Sequence, residues 1–377
     1  PGETVADVLK YNGESVLLLD HSNMRNFYYG DTIRFDILAS LFGNEPLCEG
    51  ILSWYLADEQ GEIYVSDKKQ VFNIENGQVN KVAEIKLDIP TLNKPSKLTI
   101  HARLQGDEYD ISNDWNIWAF PRLSREYIDI PNRVENMDIQ SQTEYIDIPS
   151  ETGTVHDSNR TDNICIPGKN DKISMPGRVD NLRIVNQIDY DVLRFLCEGG
   201  RVLLLGSRPF KSLPVSFQLM SAGRPFGNYA TVIYEHPVIR DFPHDGYCDW
   251  QFYSMMEDSQ AVLFNDLDIP FEPIIEVVSS FKSVKKQAGL FEVKVGEGAL
   301  LVFSYNIDAT DPAGTYMFEC LLKYSLSSDF NPSISIEPDV IANLITDNVA
   351  DNQDTSTSLT TDQAFDRNAQ IDNKEDR

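Results

Sequence analysis

The residues best equipped for chemistry crowd into one stretch, "YEHPVIRDFPHDGYCDWQFYSMM" at 234–256. His236, His244, Asp245 and Asp249 are types that ligate transition metals. Their spacing follows no helical register and Pro237 and Pro243 interrupt it, so no metal site is expected. A second chemistry is stacking on a sugar ring. Trp250 with Phe242 and Tyr247 could form the aromatic platform, which makes Trp250, His244, Asp249 and Tyr247 the candidate carbohydrate contacts. The same apolar faces serve a loop that plugs one end of a sheet. Phe252, Tyr253, Met255 and Met256 follow at once and need burial, which favours the plug and predicts a buried Trp250.

A pair of carboxylates about 5 Å apart could cleave glycosidic bonds by retention, and Asn44-Glu45-Pro46 has the form of an acid-bearing motif. Only 44 residues precede Glu45, too few for the strands of a barrel that would carry it. "TIRFDILASLF" before it and "GILSWYLAD" after it read as strands, so Glu45 is expected in a turn and no catalytic residue is assigned. The five cysteines (Cys48, Cys165, Cys197, Cys248, Cys320) include no C-x-x-C pair and read as separate, mostly buried thiols that favour a reducing compartment. Cys197 and Cys320 fall inside helices rather than on a nucleophile elbow. The loop after "RVLLLG" is "SRPFKSLP", without a glycine-rich phosphate cradle. No cofactor is expected.

These residues sit on a chain of 377 residues with 59 acidic and 32 basic side chains, a formal net charge of −27. Such a surface repels polyanions, so nucleic acid and anionic membranes are not expected partners. No apolar run reaches the roughly 20 residues of a membrane span. The opening "PGETVADVLKYNG" has no initiator Met or signal peptide, and reads as a cut or processed end.

Four regions follow from the patterning. Residues 1–121 hold short alternating strands, such as Leu98, Ile100, Ala102 and Leu104, that predict a β-sandwich with Trp54 in its core. In "NDWNIWAF", Trp115 and Trp118 fall on opposite faces of a strand, one toward the core and one toward a neighbouring domain. Residues 122–178 are polar, carry "EYIDIP" twice (Glu126–Pro131 and Glu144–Pro149), and read as an insertion or linker. From 179 to 335 the pattern is α/β: "LRIV", a helix capped by Asp189 and stopped at Gly199-Gly200, the buried strand "RVLLLG", a hairpin at Gly296-Glu297-Gly298, and a helix opened by Asp311 and Pro312. Residues 336–377 read as an acidic, disordered tail.

In order, "SVLLLD", "GILSWYL", "NDWNIWAFP", "LRFLCEGGRVLLL", "HPVIRDFPHDGYCDWQFYSM", "GLFEVKVGEGALLVFSYNI" and "YSLSSDFNP" resemble the region that follows the catalytic barrel in glycoside hydrolase family 2 proteins of the β-galactosidase-like group. The resemblance implies an immunoglobulin-like sandwich followed by an amidotransferase-like (flavodoxin-like) α/β domain lacking a nucleophile. It further implies an upstream barrel on the same polypeptide as partner. No family glutamate has a matching position here. The principal alternative is a free-standing carbohydrate-binding module that holds an oligosaccharide on Trp250 and its neighbours.

Overall fold

The computed structural model describes residues 4–20, 24–106, 108–122, 181–215, 230–267, 269–279 and 284–347. Both "EYIDIP" hexamers, Cys165 and the chain beyond 347 lie outside these residues. The described chain is a β-rich, multidomain fold.

The first unit opens with α1 (Val5–Asn12), closed at its N-terminus by a reciprocal Thr4–Asp7 capping box. Eight strands follow: β1 (Val16–Asp20), β2 (Asn26–Tyr28), β3 (Thr32–Ser40), β4 (Leu47–Asp58), β5 (Ile63–Ile74), β6 (Val79–Asp88), β7 (Ser96–Gly106) and β8 (Tyr109–Phe120). They form a three-stranded sheet, β1-β3-β6, and a five-stranded sheet, β2-β8-β7-β4-β5. Alternation selects the inner faces: Phe35 and Ile37 from β3 share a core with Leu52, Trp54 and Leu56 from β4 and with Leu98 and Ile100 from β7.

The last four residues of β8 break that alternation and are all buried. Ile117 and Ala119 enter the core of the first unit, whereas Trp118 and Phe120 point the other way into the core of the second. Trp115 is partly buried against the first core, so the two tryptophans divide between the faces as their spacing requires.

The second unit comprises β9 (Leu182–Gln187), α2 (Tyr190–Cys197), β10 (Arg201–Arg208), β11 (Ser212–Val215), β12 (Thr231–Ile233), α3 (Tyr253–Met256), β13 (Ser259–Leu263), β14 (Ile275–Val278), β15 (Lys286–Val295), β16 (Gly298–Phe303), α4 (Pro312–Leu326) and β17 (Ser335–Ile336). Asp189 caps α2 by accepting from the Val192 N–H, and Gly199, at φ 93°, takes the left-handed turn that ends the helix. The strand β10 lies parallel to β9 and β16. Its side chains alternate between two cores: Val202 and Leu204 pack with α2, and Leu203 packs with α4. The sheet is mixed, because the tight Gly296-Glu297 turn makes β15 and β16 run antiparallel.

One boundary differs from the sequence reading. Residues 338–347, assigned above to the tail, are helical. Ile341, Ala342 and Ile345 are buried against β10, β16 and α2. Their i, i+1, i+4 spacing is an apolar helical face, too short beside its acidic neighbours to stand out by composition.

Candidate functional site

Where the two units meet, a cleft of about 1070 Å³ opens. One wall comes from loops 58–60 and 92–97 with Tyr29 and Arg122, and the other from loop 240–245 and α4. On α4 the contributors are Tyr316, Glu319 and Lys323, whose three- and four-residue spacing places them on one helical face. Beneath the cleft, Phe242 packs 5.8 Å from Phe120 and 5.0 Å from Phe252, ring centre to ring centre. Apolar burial thus fixes the wall segment 240–245 to both units.

The cleft is charged but balanced. Asp58, Glu59, Asp241, Asp245 and Glu319 supply five carboxylates, and Lys94, Lys97, Arg122, Arg240 and Lys323 supply five cations. Lys97, on β7, bridges the units through Glu59 Oε1 at 2.8 Å and Asp245 Oδ2 at 2.6 Å. Burial pulls its ammonium down, but the carboxylates of Asp245 and Glu59 outweigh burial and hold it above its ordinary value. Lys323 pairs with Glu319 one turn earlier on α4, and Arg122 pairs with Asp31. Two polar atoms of the lining residues, the Tyr29 hydroxyl and Glu319 Oε2, are buried without a hydrogen-bond partner. Burial pushes the Tyr29 phenol up to about 12.

Of the four carbohydrate-contact candidates, only His244 lines this cleft. Its Nδ1 accepts from the Gly246 N–H at 3.1 Å, and burial holds the imidazole below its ordinary value. Asp249 caps the short 3-10 helix Trp250–Phe252, accepting from the Trp250 N–H, and burial raises its carboxyl. Tyr247 is exposed. Trp250 is 39% exposed, stacks on Tyr253 at 5.4 Å and has the Arg25 guanidinium 5.9 Å from its ring centre. The buried-tryptophan expectation is therefore corrected. The segment does plug the domain, but through Phe242, Phe252, Met255 and Met256, and its turn into a 3-10 helix leaves Trp250 on the outer side.

His236 lines a separate, smaller cavity of about 180 Å³. Its Nδ1 accepts from the Val238 N–H at 3.3 Å and its Nε2 faces Glu292 Oε1 at 3.7 Å. Nδ1 is therefore occupied, whereas Nε2 lies nearest the Glu292 carboxylate but beyond hydrogen-bond distance. Among the described residues, no three His, Cys, Asp or Glu side chains group closely enough to hold a metal ion. Burial pushes the Cys248 and Cys320 thiols up to about 12, the opposite of what a nucleophilic cysteine requires. Glu45 is exposed in the bend between β3 and β4, and its carbonyl accepts from the Tyr109 hydroxyl at 2.6 Å. Among the described residues no helix is long and apolar enough to cross a membrane.

The cleft residues that sequence reasoning missed, Lys97, Arg240, Tyr316 and Glu319 among them, come from loops and a helix far apart in the chain. The available signal was "IWAF" at 117–120, four consecutive apolar residues at the end of an otherwise alternating strand, which marks a strand covered on both faces.

Two family models match the chain. One, described as a domain of unknown function (DUF8488), matches residues 31–121. The other, also a domain of unknown function (DUF8487), matches residues 183–346. No curated protein matches. Partial likenesses exist to a family 123 glycoside hydrolase from Clostridium perfringens (12% identity, TM-score 0.22, covering 29% of this chain and 27% of that one). A putative beta-galactosidase from Bacteroides fragilis gives 12% identity and a TM-score of 0.20, over 27% of this chain and 15% of that one. The Parabacteroides merdae beta-glucuronidase gives 14% and 0.20, over 28% and 14%. The chain thus spans about a quarter or less of these proteins, and likenesses of the same low score exist to a CARDB domain from Pyrococcus furiosus and to the sporulation control protein Spo0M from Bacillus subtilis.

Proposed function

We propose that this chain is a non-catalytic accessory portion of a carbohydrate-active protein, and that it braces a catalytic barrel on the same polypeptide. In this reading the first unit is an immunoglobulin-like sandwich and the second an amidotransferase-like domain without a nucleophile, as the family 2 resemblance implies. The observation that carries the bracing role is the seam between the units. The side chains of Trp118 and Phe120 project from the five-stranded sheet into the second core, and Asn26 of β2 donates to Gln251 O at 3.1 Å and to Asp311 Oδ1 at 2.9 Å. A strut must transmit position, and a pair of domains joined through shared core residues does so where a flexible linker would not. The high-lying thiols of the buried Cys248 and Cys320 are consistent with a scaffold.

The test has two arms. The chain alone is expected to turn over no aryl glycoside, and removing it from the polypeptide that the upstream coding sequence specifies is expected to lower the melting temperature of the preceding barrel. Turnover by the isolated chain that vanishes in Glu45→Gln would overturn this reading, as would an upstream sequence that encodes no barrel.

A second reading is a carbohydrate-binding module centred on Trp250. It draws support from the exposed Trp250 ring stacked on Tyr253. Loss of oligosaccharide binding in Trp250→Ala, with the melt unchanged, would favour it.

A further inference from the structure

We propose that the cleft between the two units is a binding site for a neutral, hydroxyl-rich ligand, a short saccharide of a few rings, held at residues distinct from Trp250. The proposal is independent of the bracing role. The chain carries a net charge of −27, yet the cleft sets five cations against five carboxylates. A polyanion such as a nucleotide would need a surplus of cations there, and a metal or an organic cation a surplus of free carboxylates. Neither surplus exists, and Lys97 and Lys323 are already paired with three of the five acids.

A hydroxyl group fits such a lining because it donates to a carboxylate and accepts from a lysine or arginine at the same time. Arg240 and Asp241 are adjacent and exposed on one rim, a neighbouring donor and acceptor of the kind that vicinal hydroxyls match. Tyr29 and Tyr316 are half-buried in the lining, Tyr316 packed against Phe120 and Phe242, and their remaining exposed edges add apolar surface for the C–H groups of a ring. The volume of about 1070 Å³ slightly exceeds the range of small-molecule sites, roughly 300–1,000 Å³, which suits several rings rather than one.

Titration calorimetry of the whole chain against cellotriose, maltotriose and lactotriose, with ATP and spermidine as charged controls, tests the site. At least one trisaccharide is expected to bind with a millimolar or tighter Kd, and neither charged probe to compete with it. Arg240→Ala and Asp241→Ala change exposed side chains and are expected to leave the melt intact while weakening that binding about tenfold, the loss of one charge-assisted hydrogen bond. Trp250→Ala is expected to leave it unchanged. Absence of saccharide binding, preference for ATP or spermidine, or binding that is lost in Trp250→Ala but kept in both cleft variants would each overturn the proposal.

Discussion

Asn26 and Asp311 stand 285 positions apart and share a 2.9 Å hydrogen bond across the boundary between the two units. Asn26 lies on the short strand β2, and Asp311 is the N-cap of α4. Burial raises the Asp311 carboxyl, offset in part by hydrogen bonds from Ser254, Asn26 and the first turn of the helix. One aspartate therefore caps a helix and fastens it to the neighbouring sheet.

Replacing Asn26 by Leu should expose the cost of that fastening. The Gln251 carbonyl and the Asp311 carboxylate would each lose a donor in a buried place, at a cost of about 2–3 kcal/mol. Urea denaturation measures it. A change below about 0.5 kcal/mol, the level of an ordinary surface substitution, would mean that the contact is incidental.

Trp250 and Phe252 are neighbours with opposite expected behaviour. Phe252 is fully buried, and Phe252→Ala should destabilise by about 3–5 kcal/mol. The Trp250 ring is 39% exposed and stacks on Tyr253 beside Arg25, so Trp250→Ala should cost less than Phe252→Ala, about 1–2 kcal/mol. Thermal melts of the two variants side by side would contradict the assignment if the order were reversed.

The cleft imidazole of His244 makes stability depend on pH. Its folded value lies below the ordinary 6.5, so the unfolded chain takes up the proton first as pH falls. The contribution is therefore complete above the ordinary histidine value and is lost on acidification through the lowered one. His244→Gln should flatten the rise of unfolding free energy between about pH 5 and 7. Burial lowers His101 as well, and it retains part of the slope. An unchanged slope in the variant would show that His244 is not buried neutral.

Native alkylation with iodoacetamide should separate the thiols by environment. Cys48 is exposed, whereas Cys248 and Cys320 are buried with thiols pushed up to about 12. Peptide mapping is expected to find Cys48 modified and those two untouched until the chain is unfolded. Rapid modification of Cys248 in the native protein would contradict the packing around it.

Local signals made much of this fold readable. Asp189 and Asp311 cap the helices that their positions before apolar runs announced, Gly296 turns the hairpin, and the alternation of β7 places Leu98, Ile100 and Leu104 inside. Each depends on residues within a turn or two. The cleft was not readable, because Lys97 and Asp245 meet over 148 positions and nothing near either one names the other. Trp250 was misjudged for a related reason: the apolar residues around it announced burial of the segment, but the direction of a single side chain depends on where a short 3-10 helix begins. The helix at 338–347 was hidden because three apolar residues among acids leave a weak composition signal even where they form a good face.

Differential scanning calorimetry of the whole chain tests the central claim, that the two units are locked into one body by Trp118, Phe120 and Asn26. A single transition is expected, with calorimetric and van't Hoff enthalpies equal, and Phe120→Ala is expected to move it down or split it in two. Two separate transitions in the unaltered chain, indifferent to Phe120→Ala, would contradict the account.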